Sequence, residues 1–260
     1  MGVLNVTPDS FSDGGRYSRL DEAVARGIQM EEEGAAIVDI GGESTRPGAE
    51  PIAPEEELRR VIPVIERLRP RTKAVISVDT SRPEVMRAAA EAGAGFVNDV
   101  RALQAPGALL AAAQSGCAVC LMHMRGEPRT MQSAPSYRDV VAEVREFLAG
   151  RLEACLAAGV PEERIVLDPG FGFGKTLEHN LELLRRLGEL GFGDLPILTG
   201  LSRKSMAGAL TGRPPGERLH GSLALAVIAA WQGARILRVH DVAATVDALK
   251  VVAAVQGRTD

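Results

Sequence analysis

Short apolar runs and longer helical segments alternate from one end of this chain to the other, and that alternation narrows its fold more than any other feature. Runs suited to strands lie near 2–5, 36–40, 74–78, 95–98, 117–122, 164–168, 195–199 and 235–239. Helical segments fall between and after them, near 20–33, 55–68, 83–92, 107–114, 138–158, 177–190, 217–232 and 242–255. Strand–helix alternation with right-handed crossovers implies a parallel sheet. Eight such units in 260 residues match the size of a (β/α)8 barrel of the TIM type. A doubly wound open sheet usually has fewer strands and a glycine fingerprint after its first strand. Asn5-Val6-Thr7-Pro8-Asp9 is not that fingerprint. No linker, low-complexity tract or charge block divides the chain, so residues 1–260 are expected to form one α/β barrel domain with its site at the C-terminal strand ends.

Local signals punctuate this pattern. Ser81-Arg82-Pro83-Glu84 predicts a capping box opening the third helix. Gly34, Gly93 and Gly159 fall where helices should stop. Met1 sits almost on the first strand, so either the barrel does without a plug at its N-terminal mouth or a leader precedes this sequence.

Bulk properties exclude several function classes. A net charge of −4 gives no reason to expect nucleic acid or an anionic membrane as partner. No apolar run reaches the roughly 18–20 residues that span a bilayer. The first residues lack the basic flank and apolar core of a signal peptide, so the expected location is cytoplasmic. Cys117, Cys120 and Cys155 make no disulfide framework. Cys117-Ala-Val-Cys120 matches a redox spacing, but it lies in a strand-like run where positions three apart face opposite ways, so both are expected in the core.

Chemistry concentrates where the strands end. Asn5-Val-Thr-Pro-Asp-Ser-Phe-Ser-Asp-Gly-Gly15 and Val38-Asp-Ile-Gly-Gly-Glu-Ser-Thr-Arg-Pro-Gly48 each leave a strand into a polar, glycine-bearing loop. In a barrel, catalytic groups come from such positions. Read in turn they are Asn5, Asp39, Asp79, Asn98, His123, Asp168, Lys204, and Arg238 with His240. One Asp or Asn after a strand is usually a cap; a whole ring of them is not explained that way. Carboxylates and a carboxamide beside a lysine fit a flat heterocycle with an amino-pyrimidinone edge. Arg46, Arg238 and His240 suit an anion, since arginine presents a fork to phosphate oxygens, and Asp241 is expected to cap the last helix.

Asp168-Pro-Gly-Phe-Gly-Phe-Gly-Lys175 lacks P-loop spacing; its glycines are expected to let Phe171 or Phe173 turn over a ligand, one ring being an alternative core plug. His123 stays ambiguous between site and core, and Met122 or Met124 could pack on a planar ligand. No spacing resembles a structural zinc site, and magnesium is favoured if a diphosphate binds.

These motifs, with Val78-Asp-Thr, Asn98-Asp, Met122-His-Met, Ser202-Arg-Lys-Ser205 and Arg238-Val-His-Asp241, run colinearly along essentially the whole chain, which resembles the dihydropteroate synthases, the sulfonamide-sensitive enzymes of folate synthesis. The resemblance implies a transferase that condenses 6-hydroxymethyl-7,8-dihydropterin diphosphate with p-aminobenzoate, releasing pyrophosphate and 7,8-dihydropteroate in an SN1-like step. It implies that Asp79, Asn98, Asp168 and Lys204 hold the pterin with Met122 against its ring. It gives Asn5, Arg46, Arg238 and His240 to the diphosphate, Asn5 through Mg²⁺ as cofactor. Phe11, Thr45, Pro47, Phe173, Lys204 and Ser205 would form the aminobenzoate pocket, and Asp39 would stand near the reacting centre. A homodimer through helices 219–231 and 242–255 follows by the same resemblance, and residues 7–16 and 43–52 are expected to be poorly ordered without ligands. Two alternatives are a methyltetrahydrofolate-binding methyltransferase on a similar barrel, which has no use for the arginines and the first two loops, and a non-catalytic pterin-binding paralogue, which should have lost some of them.

Overall fold

Among the described residues eight parallel strands form the inner wall: β1 Gly2–Asn5, β2 Ile37–Gly41, β3 Val75–Asp79, β4 Phe96–Asp99, β5 Ala118–Met122, β6 Ile165–Asp168, β7 Leu198–Thr199 and β8 Ile236–Leu237. Nine helices are found among the described residues: α1 Arg16–Glu32, α2 Pro54–Leu68, α3 Pro83–Glu91, α4 Ala108–Ser115, α5 Val140–Ala157, α6 Leu177–Arg185, α7 Ser205–Thr211, α8 Leu219–Trp231 and α9 Val242–Val255. The structure is a computed structural model that describes residues 1–6, 16–44, 51–127 and 130–257, with the backbone alone for 16–18. Phe11, Thr45, Arg46 and Pro47, and the expected mobility of 7–15 and 45–50, lie outside the described residues.

Strands β1 to β6 pair in sequence order, and β7 pairs with β8. Two bridges close the ring. Leu167 meets Ile197 between β6 and β7, with the Leu167 N–H donating to the Pro196 carbonyl at 3.0 Å. Gly2 meets Val239 between β1 and β8, where Val3 N–H donates to Val239 O and Val239 N–H to Met1 O, each at 2.9 Å. The expected (β/α)8 barrel is therefore observed, with α7 as a short helix the sequence pattern did not announce.

Helix ends follow their local chemistry in some places and not in others. α2 opens with Pro54 and three glutamates in its first turn and closes with Arg67, as the helix dipole favours. Asp139 caps α5 by accepting from Val141 N–H and Ala142 N–H at 2.9 and 3.1 Å. Gly34, Gly93 and Gly159 adopt the left-handed conformation expected past a helix end. The Ser81 capping box is not formed: Arg82 is the N-cap residue of α3 and gives no side-chain cap bond. The Ser81 hydroxyl instead donates to the buried Asp99 carboxylate, which also collects the Arg101 and Leu103 N–H groups at 2.8 Å. Donating to a charged acceptor orients the Ser81 hydroxyl toward Asp99 rather than toward the first amides of α3.

Most apolar burial lies between strands and helices, including Ile40, Ile65, Leu68, Ile76, Leu121, Leu148 and Leu167. A separate small cluster of Phe96, Cys120, Val166 and Leu198 fills the barrel interior, with Met1, Ala118 and Ile236 packed on it. Cys117 belongs to the outer cluster and Cys120 to the inner one, so the two thiols face opposite sides of β5 and both are free. Above that apolar floor the inward-facing positions turn polar.

Candidate active site

Strand register explains how the site is assembled. Asp39 pairs laterally with Ser77, and Asp79 with Asn98. Residues two apart on one strand share a face, so Ser77 and Asp79 point the same way, as do Phe96 and Asn98, and Val166 and Asp168. The interior thus carries phenylalanine, cysteine, valine and leucine below and aspartate, asparagine and serine above.

Asp39 is fully buried and has its carboxylate surrounded by donors. The Ser77 hydroxyl donates to Oδ1 at 2.5 Å, and Asn98 Nδ2 and Arg238 Nε donate to Oδ2 at 3.1 and 2.6 Å. Arg238 also places Nη2 2.7 Å from Asp79 Oδ2, so one guanidinium holds two carboxylates side by side. Neither bond uses Nη1. Burial, with the Asp39 charge adding to it, pushes the Asp79 carboxyl up to about 7 against the pull of Arg238. Burial also raises Asp168, opposed chiefly by Lys204; its Oδ1 accepts the Gly170 N–H at 2.7 Å.

Lys204 enters from the segment after β7. Its ammonium donates to the Phe171 carbonyl and lies 4.6 Å from the centre of the Phe173 ring, a cation–π distance. Burial lowers this lysine from 10.5 to about 8, with Asp168 opposing the shift. The preceding residue, Arg203, has φ of +59°, and its guanidinium binds Asp241 at 3.0 and 2.5 Å. Asp241 is the N-cap residue of α9 but makes no capping bond, because that ion pair engages its carboxylate. His240 Nδ1 lies 3.0 Å from Ser202 Oγ, so the loops after β7 and β8 are joined twice. Ser205 begins α7, and Asn5 ends β1 half-buried.

Three expectations raised by the sequence are corrected or divided by the structure. The glycines of the β6–α6 loop are not there for flexibility: Gly170, Gly172 and Gly174 have φ of +68°, +81° and +63°. A Cβ at Gly170 would overlap the His123 carbonyl oxygen, and one at Gly174 the Arg125 carbonyl oxygen. The loop is interlocked with the chain leaving β5. Phe171 is the core plug and Phe173 the ring beside Lys204. His123 is not in the ring of site residues; it is buried behind it, edge-on to Phe147 at 5.0 Å, and burial holds its imidazole down at about 2. Met122, buried at the end of β5, is the register partner of Asp168.

The structure therefore brings Asp39, Asp79, Asn98, Asp168, Lys204 and Arg238 to one mouth. Ser77 and Ser202 were missed. Ser77 was findable, being the polar residue inside Val75-Ile-Ser-Val-Asp79 two places before Asp79 and so on its face. Ser202 carried no such signal, because its partner His240 is 38 residues away.

Known proteins match this chain along its length. Residues 1–240 match the family model of the pterin binding enzymes. The dihydropteroate synthase of Escherichia coli K12 is 58% identical over 254 residues, covering 98% of this chain and 90% of that protein. Among solved structures, a Yersinia pestis dihydropteroate synthase in a sulfonamide drug complex superposes with a TM-score of 0.94 at 53% identity, covering 99% of this chain and 94% of that one. A Xanthomonas albilineans dihydropteroate synthase in complex with 7,8-dihydropteroate gives 0.90 at 54% identity, covering 98% and 92%. With barrel, carboxylate ring and buried lysine arranged as described, this chain belongs to the pterin-binding enzymes, in their dihydropteroate synthase branch.

Proposed function

We propose that this enzyme condenses 6-hydroxymethyl-7,8-dihydropterin diphosphate with p-aminobenzoate, giving 7,8-dihydropteroate and pyrophosphate. The observation that carries the reading is the convergence of Asp79, Asn98, Asp168 and Lys204 at one mouth, held over Asp39 and Arg238. The relatives are dihydropteroate synthases, and solved relatives are complexed with 4-aminobenzoic acid and with 7,8-dihydropteroate.

In this reading the carboxylates of Asp79 and Asp168 accept from the pterin's amino-pyrimidinone N–H groups, Asn98 both donates and accepts, and the Lys204 ammonium donates to a ring acceptor. Met122 packs on the ring. Arg238, whose Nη1 is not used on the carboxylates, and His240 reach the diphosphate, joined by Arg46. The bond between the pterin methylene carbon and the bridging oxygen breaks, with its electron pair leaving on pyrophosphate. Asp39, Asp79 and Asp168 favour the cation left on the pterin by charge. The aniline nitrogen of p-aminobenzoate, held by Phe173, Lys204 and Ser205 with Phe11, Thr45 and Pro47, gives its lone pair to that carbon and releases a proton to solvent. No covalent enzyme intermediate is formed.

Asn5 offers one side-chain oxygen, and among the described residues no group of three or more His, Cys, Asp or Glu side chains stands ready to hold a metal ion. That oxygen suits Mg²⁺, which takes oxygen donors, and Asn5 would be its protein ligand. When bound, the ion would neutralise charge growing on the leaving oxygen.

The same reading takes residues 1–260 as one barrel, placed in the cytoplasm with its soluble substrates. Among the described residues no helix is long and apolar enough to cross a membrane. A homodimer through α8 and α9 is part of the reading, supported by exposed Ile228 and Trp231 on α8 and Val251 and Val255 on α9.

Pyrophosphate release from the pterin diphosphate with Mg²⁺, measured with and without p-aminobenzoate, tests the function. Aminobenzoate-dependent release with equimolar dihydropteroate is expected. Tight pterin binding without release would point to a binding-only paralogue, and methyl transfer from methyltetrahydrofolate would replace the reading outright.

A further inference from the structure

Every backbone carbonyl from Gly170 to Gly174 accepts a side-chain hydrogen bond. Lys175 Nζ donates to Gly170 O at 2.9 Å and Phe173 O at 3.1 Å; Lys204 donates to Phe171 O, Gln132 to Gly172 O, and the Tyr137 hydroxyl to Gly174 O at 2.9 Å. Five consecutive carbonyls held this way make a rigid strip, and two lysines grip it at alternate carbonyls. Lys204 stands on the site side. Lys175 is 3% exposed, shut off from solvent behind the loop.

Lys175 has a third short contact, His123 Nδ1 at 2.9 Å, and a longer one to the His123 carbonyl at 3.4 Å. Three short acceptors match the three N–H bonds of an ammonium, which has donors and no lone pair. Neutral His123 then accepts at Nδ1 and carries its own proton on Nε2. Burial lowers both groups, Lys175 well below the ordinary lysine value, with Asp168 opposing the shift there. Burying a charge is costly unless its hydrogen bonds are met. A lysine in that position without a function in the local geometry would be an expensive way to fill space.

What the strip carries is the site. Asp168 at its start takes the Gly170 N–H at 2.7 Å, Phe171 O seats the Lys204 ammonium, and the Phe173 ring lies 4.6 Å from that ammonium. Loosening Gly170 O and Phe173 O would therefore move the seat of Lys204 and its flanking ring together.

We propose that Lys175 is a positioning residue for substrate binding: by tying the Gly170 and Phe173 carbonyls to His123, it sets the pose of Lys204 and Phe173 without touching substrate. This rests on the function proposed above and deepens it. The test is Lys175→Met, which keeps the stem and removes the three donors. Two quantities are read on purified, folded enzyme: the Kd for 6-hydroxymethyl-7,8-dihydropterin diphosphate with Mg²⁺ by fluorescence, and kcat and KM in the pyrophosphate-release assay. Positioning predicts the pterin Kd and the aminobenzoate KM each up by about tenfold with kcat within about threefold, the scale on which loss of supporting contacts acts.

A lower melting temperature with both constants within about twofold of wild type would reduce Lys175 to structural cement and overturn the proposal. A kcat collapse with unchanged Kd and KM would overturn it too, in favour of direct chemistry. Where Lys175→Met does not fold, His123→Phe is read in the same way. It removes the Nδ1 acceptor, and the Nε2–H with it, while keeping a ring beside Phe147 and Tyr137, and the same split at smaller size is expected; wild-type constants would overturn the proposal. Wild-type enzyme is assayed alongside. Failure of wild type to bind or turn over the pterin diphosphate counts against the proposed function, whereas normal wild type with unchanged variants counts against Lys175 alone.

Discussion

Arg238 closes on Asp39 at 2.6 Å, joining the segment that ends the last strand to the middle of the second across the barrel mouth. Asp39 is fully buried, so this pair has strong consequences when it is broken on one side.

Arg238→Met leaves the Asp39 charge with only Ser77 and Asn98, and removal of one partner of a buried pair costs about 3–5 kcal/mol. Urea unfolding should show that loss, and Arg238→Met/Asp39→Asn should recover most of it. Activity should stay down by at least about a hundredfold in both, because a charge-stabilising donor is gone. A double variant no more stable than Arg238→Met would mean the pair is not the source of the cost.

Pterin binding should follow a bell in pH. The free enzyme needs Asp79 as carboxylate and Lys204 as ammonium, so kcat/KM for the pterin rises as pH passes about 7 and falls as it passes about 8. Asp168, also raised by burial, adds to the acid limb.

Stability should run oppositely. Between 3.8 and about 7 folded Asp79 holds a proton that the unfolded chain gives up, so its contribution is lost as pH rises through that window. Between about 8 and 10.5 the unfolded chain holds the extra proton at Lys204, so stability returns as pH rises. Melting curves from acid to alkaline pH, repeated on Asp79→Asn, check this: the variant should show a shallower acid-side decline, with Asp168 still contributing to it.

The glycine loop offers a contrast within one motif. Alanine at Gly170 or Gly174 would drive a Cβ into the carbonyl oxygen of His123 or Arg125, and both positions have positive φ. Neither variant is expected to accumulate as folded protein. Gly172→Ala meets only the flexible Lys204 side chain at 3.3 Å. It should fold, at about 1–2 kcal/mol for the left-handed backbone, and weaken pterin binding by displacing the lysine. Equal losses at all three would show that backbone conformation alone, and not interlocking, decides.

Trp231 is 55% exposed on α8, and Val251 and Val255 on α9 are 63% and 67% exposed. If these helices meet a second copy, Trp231→Glu/Val251→Glu should sediment as a monomer where the native chain sediments as a dimer. A native monomer at micromolar concentration would remove the dimer from the proposal.

Particular residues show how far sequence reached. Asp79 and Asp168 were legible because each follows its apolar run without a gap, which fixes it to a strand tip. Ser81 and Asp241 misled, since both carry strong capping chemistry that a better partner elsewhere captured: Asp99 for the first, Arg203 for the second. His123 was ambiguous for another reason. It follows β5 as Asp168 ends β6, but it turns outward, where Lys175 and Phe147 bury it.

By itself the sequence determined the period of the chain, the parallel sheet that period implies, and which chemical groups stand at the strand ends. Those follow from local hydrophobic pattern and chain order, which need no partner across space. Only the tertiary structure decided which groups share a hydrogen bond or a charge: that Arg238 is divided between Asp39 and Asp79, that Lys204 rests on Phe171 and Phe173, and that buried Lys175 ties the Gly170 and Phe173 carbonyls to His123. Hydrogen bonds and desolvation depend on distance in three dimensions, and Asp39 and Arg238, 199 residues apart in the chain, come within reach only when the barrel closes.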